Sequence, residues 1–235
     1  PAITHDGYRP EIINNSDKAK RLRIAMRNWL RKYPGDTYAC AKLGALEVAE
    51  GRINNGISIL QDGLANLDKA KLNLLDYFEL LFNLAIALTK SSPIKAIEIY
   101  NKALSLEIDS RLSIAAYINL THLLIKLKKF QEAINCATEL NKKVPEISIV
   151  WHNLALAQKH NGQLSDAYDS YQMAIKLDPD HVESYQNLAV VQLQLGDVQL
   201  ARDNFLIAIS LLGKQNRLDE ANRLRNQILG IVKLD

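Results

Sequence analysis

Residues Ser148–Asp180 read SIVWHNLALAQKHNGQLSDAYDSYQMAIKLDPD, and residues His181–Lys214 read HVESYQNLAVVQLQLGDVQLARDNFLIAISLLGK. At an offset of 34 residues, Trp151 meets Tyr185, Leu154 meets Leu188 and Ala155 meets Ala189. Gly162 then meets Gly196, Ala167 meets Ala201, Tyr171 meets Phe205 and Ala174 meets Ala208. The same step backwards finds Tyr117, Leu120, Ala133 and Pro145 in phase. Two earlier units fit with looser spacing. One carries Leu84, Ala85, Ala96, Tyr100 and Ala103, and the other carries Leu43, Gly44, Gly51, Gly56 and Leu60. The surplus residues fall after the second segment of each of these units, around 67–75 and 108–113.

Each unit holds two apolar-periodic segments of about a dozen residues, split by a turn such as HNGQ or LGD and closed by Pro or Gly. Such a helix pair cannot bury both faces alone, so neighbours stack around one elongated core. Small residues at Ala155, Ala167 and Ala174 let helices approach closely, while Trp151, Leu154 and Tyr171 fill the space between them. Composition agrees. A hydrophobic content of 48% supplies a core, whereas 6% aromatic residues, ten glycines and six prolines argue against an all-β chain. No apolar run approaches a membrane span and no leader has the form of a signal peptide. Cys40 and Cys136, each inside a helical pattern, read as reduced, part-buried thiols of a cytoplasmic protein.

The pattern W-x2-L-A … A-x3-Y … A … P resembles the tetratricopeptide repeat. The resemblance implies an all-α, right-handed superhelix of about five helix pairs. The expected organisation is a leader at 1–16, a basic half-repeat helix at 17–36 and an array at 37–215. Within the array the units fall at about 37–68, 78–109, 114–147, 148–181 and 182–215, and a capping helix follows at 216–235.

In this family the first helix of each pair lines a concave groove, with its fifth, sixth and ninth positions facing inward. The sixth position reads Asn83, Asn119, Asn153 and Asn187, and the first repeat departs with Lys42. An amide per repeat suits an extended peptide, because each can donate to a carbonyl and accept from an N–H. The row resembles the asparagine ladder in the repeat region of O-GlcNAc transferase. The competing reading is that these asparagines stabilise helix packing, as they do across the family. The flanking positions, Phe82, Ile86, Ile118, His122, His152, Leu156, Gln186 and Val190, are mostly apolar. The Lys/Asn pattern of a carboxylate clamp is absent, which argues against capture of an acidic peptide C-terminus.

Other chemistry is thin. Five scattered histidines show no ligand spacing, and there is no phosphate loop or nucleophile elbow. The expectation is a non-catalytic protein- or peptide-binding scaffold, with no cofactor and no metal. Nucleic acid and transmembrane segments are not expected, and self-association through repeat faces is open to any solenoid.

The two ends stand apart. The net charge of +3 hides seven cations and no acid in 18–32, which leaves the rest of the chain at −4. Asp17 can cap this helix, and Leu22, Met26, Trp29, Leu30 and Tyr33 form its apolar stripe with the basic residues opposite. Three readings follow for the basic face: a solvated outer surface, a contact with a preceding domain or an anionic membrane, and nucleic acid. Before it, ITHDGY (residues 3–8), followed by DKAKRLR, resembles the end of an inverting A-fold glycosyltransferase of the kind that continues into tetratricopeptide repeats. Leu22 after Arg21 departs from that family's usual asparagine. The resemblance implies an acceptor-recruiting region in a bacterial enzyme, with the acidic motif, the sugar-nucleotide pocket and the base upstream of Pro1. His5 would then help complete a metal–diphosphate site in the full-length enzyme only. The alternative is a disordered or appended leader.

Overall fold

The computed structural model describes residues 17–67 and 72–228 and, among them, twelve helices and no strand. Their contacts divide into two compact units, one up to Leu123 and one from Leu124. The first unit holds α1 (Asp17–Lys32), α2 (Thr37–Ala49), α3 (Ile53–Ala65), α4 (Leu74–Leu88), α5 (Pro93–Leu104) and most of α6 (Ser110–Lys126). The second holds α7 (Phe130–Lys143), α8 (Ser148–His160), α9 (Leu164–Leu177), α10 (Val182–Leu195), α11 (Val198–Lys214) and α12 (Leu218–Ile228).

Each helix packs on its successor, α1 on α2 through to α4 on α5 in the first unit and α7 on α8 through to α11 on α12 in the second. First helices also touch across one repeat, α2 with α4 and α8 with α10. The expected small residues are the closest contacts: Ala155, Ala167, Ala174, Ala189, Ala201 and Ala208 have no exposed surface. Tyr171, Leu188 and Val191 close the core between α8 and α10, and Phe205, Leu212 and Leu224 carry it on to the capping helix.

The turn within four of the five pairs, all but that of α4 with α5, reverses the chain through one left-handed residue. Gly162 and Gly196 take φ of 81° and 92°, a conformation that costs glycine no Cβ clash. One repeat earlier the equivalent residue is Lys128, at φ 59°. The first pair is tighter than the others. A Cβ on Gly56 would stand 2.9 Å from the Gly44 carbonyl oxygen and 2.5 Å from a Val48 methyl. Glycine therefore takes the place of alanine where α2 crosses α3.

Several boundaries differ from the sequence reading. The first helix of the second repeat starts at Leu74 rather than near 78, because the Asn73 side chain accepts from Leu75 N and Asp76 N. The third starts at Ser110 rather than near 114. On α1 the stripe is narrower than expected: Leu22, Met26 and Leu30 are half-buried, but Trp29 and Tyr33 are 48% and 52% exposed and pack on each other at 4.6 Å. The basic residues do not all lie opposite, either. Arg23 turns inward because Glu47, with no exposed surface, requires cations: Arg23 Nε donates to it at 3.1 Å and Arg27 at 3.4 Å, with a close pair to Arg52. Arg23 and Arg52 also pair with Glu50. Cys40 is buried and Cys136 half-buried, and neither is part of a disulfide. The leader at 1–16, the Asp17 side chain, residues 68–71 of the 67–75 surplus and the end of the capping segment lie outside the described residues.

Candidate functional site

The twelve predicted groove residues divide by burial. In the first unit, Phe82, Asn83 and Ile86 on α4 and Asn119 on α6 are half-buried and His122 is exposed. In the second, Leu156 on α8 and Gln186 and Asn187 on α10 are half-buried and Val190 is exposed. Ile118, His152 and Asn153 are only 4%, 7% and 7% exposed, so they support the face from beneath and do not line it. The reason is geometric. Neighbouring first helices cover the flank of each helix that faces them, and that flank includes positions which a single-helix register places outward.

The four asparagines are not equivalent. Asn119 lies against Tyr100 of the preceding helix pair. Burial pushes that phenol up to about 12, while hydrogen bonds with Thr89 and Asn119 pull the other way. Asn119 Nδ2 is itself buried without a partner among the described residues. Asn187 uses both ends of its amide: Nδ2 donates to Glu183 O at 2.9 Å, and Oδ1 accepts from Lys159 Nζ at 2.6 Å. Phe82 stacks parallel to Phe78 at 5.9 Å and meets the edge of Tyr100 at 6.3 Å.

Beneath the second-unit face runs a polar network that spacing did not reveal. His152 Nδ1 and His181 Nδ1 lie 2.9 and 2.7 Å from the fully buried Ser184 Oγ. The hydroxyl can accept from one ring nitrogen and donate to the other. Burial, and then the nearby His181, press His152 down to about 3. Glu183 is pushed up by burial, but its own backbone N–H and Arg217 outweigh this and hold it below the usual carboxylate range. Arg217 Nη2 donates to Glu183 Oε1 at 3.1 Å and to Glu220 at 2.8 Å. The sequence carries no compact signal for this trio, because His152 lies about one repeat away from His181 and Ser184.

No group of three or more metal-ligating His, Cys, Asp or Glu occurs among the described residues, and none of the described helices is long and apolar enough to cross a membrane. A separate cleft of about 350 Å³ in the second unit, between α9, α10 and α11, is walled by Tyr168, Gln172, Tyr185, Gln192 and Asn204 and shares no residue with the asparagine row.

Comparison with known proteins agrees with this architecture. Tetratricopeptide repeat models match residues 148–181 and 170–203. A TPR repeat-containing protein of Synechococcus elongatus is 31% identical over 234 residues, covering 98% of this chain and 57% of that protein. This chain thus spans little more than half the length of that relative. Heat shock protein STI1 of Saccharomyces cerevisiae is 33% identical over 122 residues, covering 48% of this chain and 20% of its own length. Among solved structures, MamA from Desulfovibrio magneticus superposes with a TM-score of 0.61 at 21% identity, over 85% of this chain and 98% of that one. YrrB, described as a TPR protein with an unusual peptide-binding site, gives 0.65 at 15% identity over the same shares. The names of these four relatives give no support to the glycosyltransferase resemblance, and the leader and His5, on which it rests, lie outside the described residues. The helix pairs, their register and these matches together show that the chain contains tetratricopeptide repeats, matched directly over residues 148–203.

Proposed function

We propose that the chain is a non-catalytic protein-binding scaffold that takes an extended peptide along the faces of its first helices. The observation that carries this reading is an accessible amide with apolar side chains nearby in each unit: Asn83 with the half-buried Phe82 and Ile86, and Asn187 with the half-buried Leu156 and the exposed Val190. Apolar surface supplies affinity and the amides supply main-chain register, the usual division of labour in a peptide groove. The titled peptide-binding site of YrrB, on a similar fold, supports the reading.

The test is selection of a random decapeptide library on the whole chain. The enriched peptides are then measured on the parent and on the Asn83→Ala/Asn119→Ala/Asn187→Ala variant. At about 0.5–1.5 kcal/mol per hydrogen bond, the triple variant binds tenfold or more weakly at an unchanged melting temperature. Equal binding by a folded variant overturns the role of the asparagines, and failure to enrich any peptide overturns the groove.

A further inference from the structure

The second-unit face holds one charge that its own surroundings do not balance. Lys159 sits in the last turn of α8, half-buried, with Nζ 2.6 Å from Asn187 Oδ1. That amide is turned toward the lysine because its Nδ2 is tied back to Glu183 O on the same helix. Lys159 makes no ion pair with any described residue. The nearest acid on α10, Glu183, is already committed to Arg217 and lies beside His181. On its own helix the neighbouring titratable groups are His152 and His160. The first is held neutral by burial, and the second is pushed down by burial and then by Lys159 itself. Burial likewise lowers the affinity of Lys159 for its own proton.

A half-buried ammonium offset by one neutral oxygen is an unfinished arrangement. The group has three donors and uses one, and partly desolvated charge without a counter-charge is costly. The two remaining N–H groups match the two oxygens of one carboxylate. Leu156 lies one turn before Lys159 on α8, and the exposed Val190 lies one turn after Asn187 on α10. The polar point is therefore flanked by aliphatic surface.

We infer that Lys159, positioned by Asn187, recognises an acidic side chain in the peptide that occupies this face, so that the chain selects segments with Asp or Glu beside an aliphatic residue. The inference rests on the peptide-groove reading above and adds a ligand class to it. The occupant follows from charge complementarity: the unused donors of the site are cationic, and no carboxylate among the described residues pairs with them.

The probe is a bead library of acetylated random decapeptides, linked through their C-termini so that every carboxylate is a side chain. The parent enriches sequences with Asp or Glu at one fixed position. Changing that residue to Asn or Gln lowers affinity for the parent five- to tenfold, and this loss vanishes on Lys159→Met. The preference also weakens as salt is raised and survives in Lys159→Arg. Because Lys159→Met removes an unbalanced charge, its melting temperature equals or exceeds that of the parent, and Lys159→Gln serves as a second neutral variant. Enrichment without an acidic preference, or an Asp-to-Asn loss equal in parent and Lys159→Met, overturns this inference and leaves the groove reading standing. If no peptide is enriched, both fall.

Discussion

Neutralising Glu47 should loosen the first unit from its end while leaving the second untouched. Its carboxylate has no exposed surface and sits among Arg23, Arg27 and Arg52, whose side chains are 18%, 52% and 45% exposed. Glu47→Gln keeps the shape but removes the charge. Breaking a fully buried ion pair costs about 3–5 kcal/mol, and hydrogen bonds to charged groups are worth about 1.5–3. Two of the three arginines remain half-solvated and Arg23 keeps Glu50, so the expected loss is about 2 kcal/mol. In a repeat array that loss stays local. Amide hydrogen exchange on the whole chain should show protection falling by about thirtyfold across α1 and α2 and remaining unchanged in α8–α11. The pH dependence carries a sign. Burial raises the Glu47 carboxyl, but hydrogen bonds from Arg52, Asn55 and Arg23 outweigh this and hold its folded value low. Its contribution is therefore present above the unfolded value of about 4.3 and disappears as pH falls through the folded one. The parent should lose its advantage over Glu47→Gln below about pH 4. Equal exchange in parent and variant at pH 7, or an advantage that does not shrink as the pH falls below about 4, would refute the assignment of Glu47 as the charge that docks α1.

Three further outcomes follow from local geometry. Gly56→Ala places a methyl 2.9 Å from the Gly44 carbonyl oxygen, a backbone atom that cannot turn aside; overpacking of this kind costs about 1–3 kcal/mol and is read in the urea midpoint. Lys128→Gly relieves a left-handed lysine at φ 59°, a strain of about 1–2 kcal/mol partly cancelled by glycine's extra chain entropy, so the melting temperature should rise by roughly 1–3 °C. Cys40, whose thiol burial pushes up to about 11, followed by the repulsion of Asp62 and Asp36, should resist iodoacetamide at pH 8 in the native chain and react fully in urea.

Much of the architecture was legible because its determinants are local or periodic. The 34-residue step, the alanines at helix crossings and the left-handed glycines at Gly162 and Gly196 each act within one repeat or against the next. Helix starts were less legible, since Asn73 caps its helix from a position the repeat pattern does not mark. The site was legible only as a set of positions. Asn187 is half-buried and Val190 exposed, while His152 and Asn153 on the same kind of register are buried.

By itself, the amino-acid sequence determined the class of fold, the pairing of helices within each repeat and the recurring amide. All three follow from apolar periodicity and from residue size at fixed spacing. Only the tertiary structure decided which way Arg23 turns, that Ser184 joins two histidines from different helix ends, and that Lys159 faces Asn187 without a counter-charge. Those partners lie between 24 and 32 residues apart, except for His181 and Ser184, which are three apart. Their meeting depends on the angle and rise between successive helix pairs, quantities set by the packing of the whole stack and encoded at no single position.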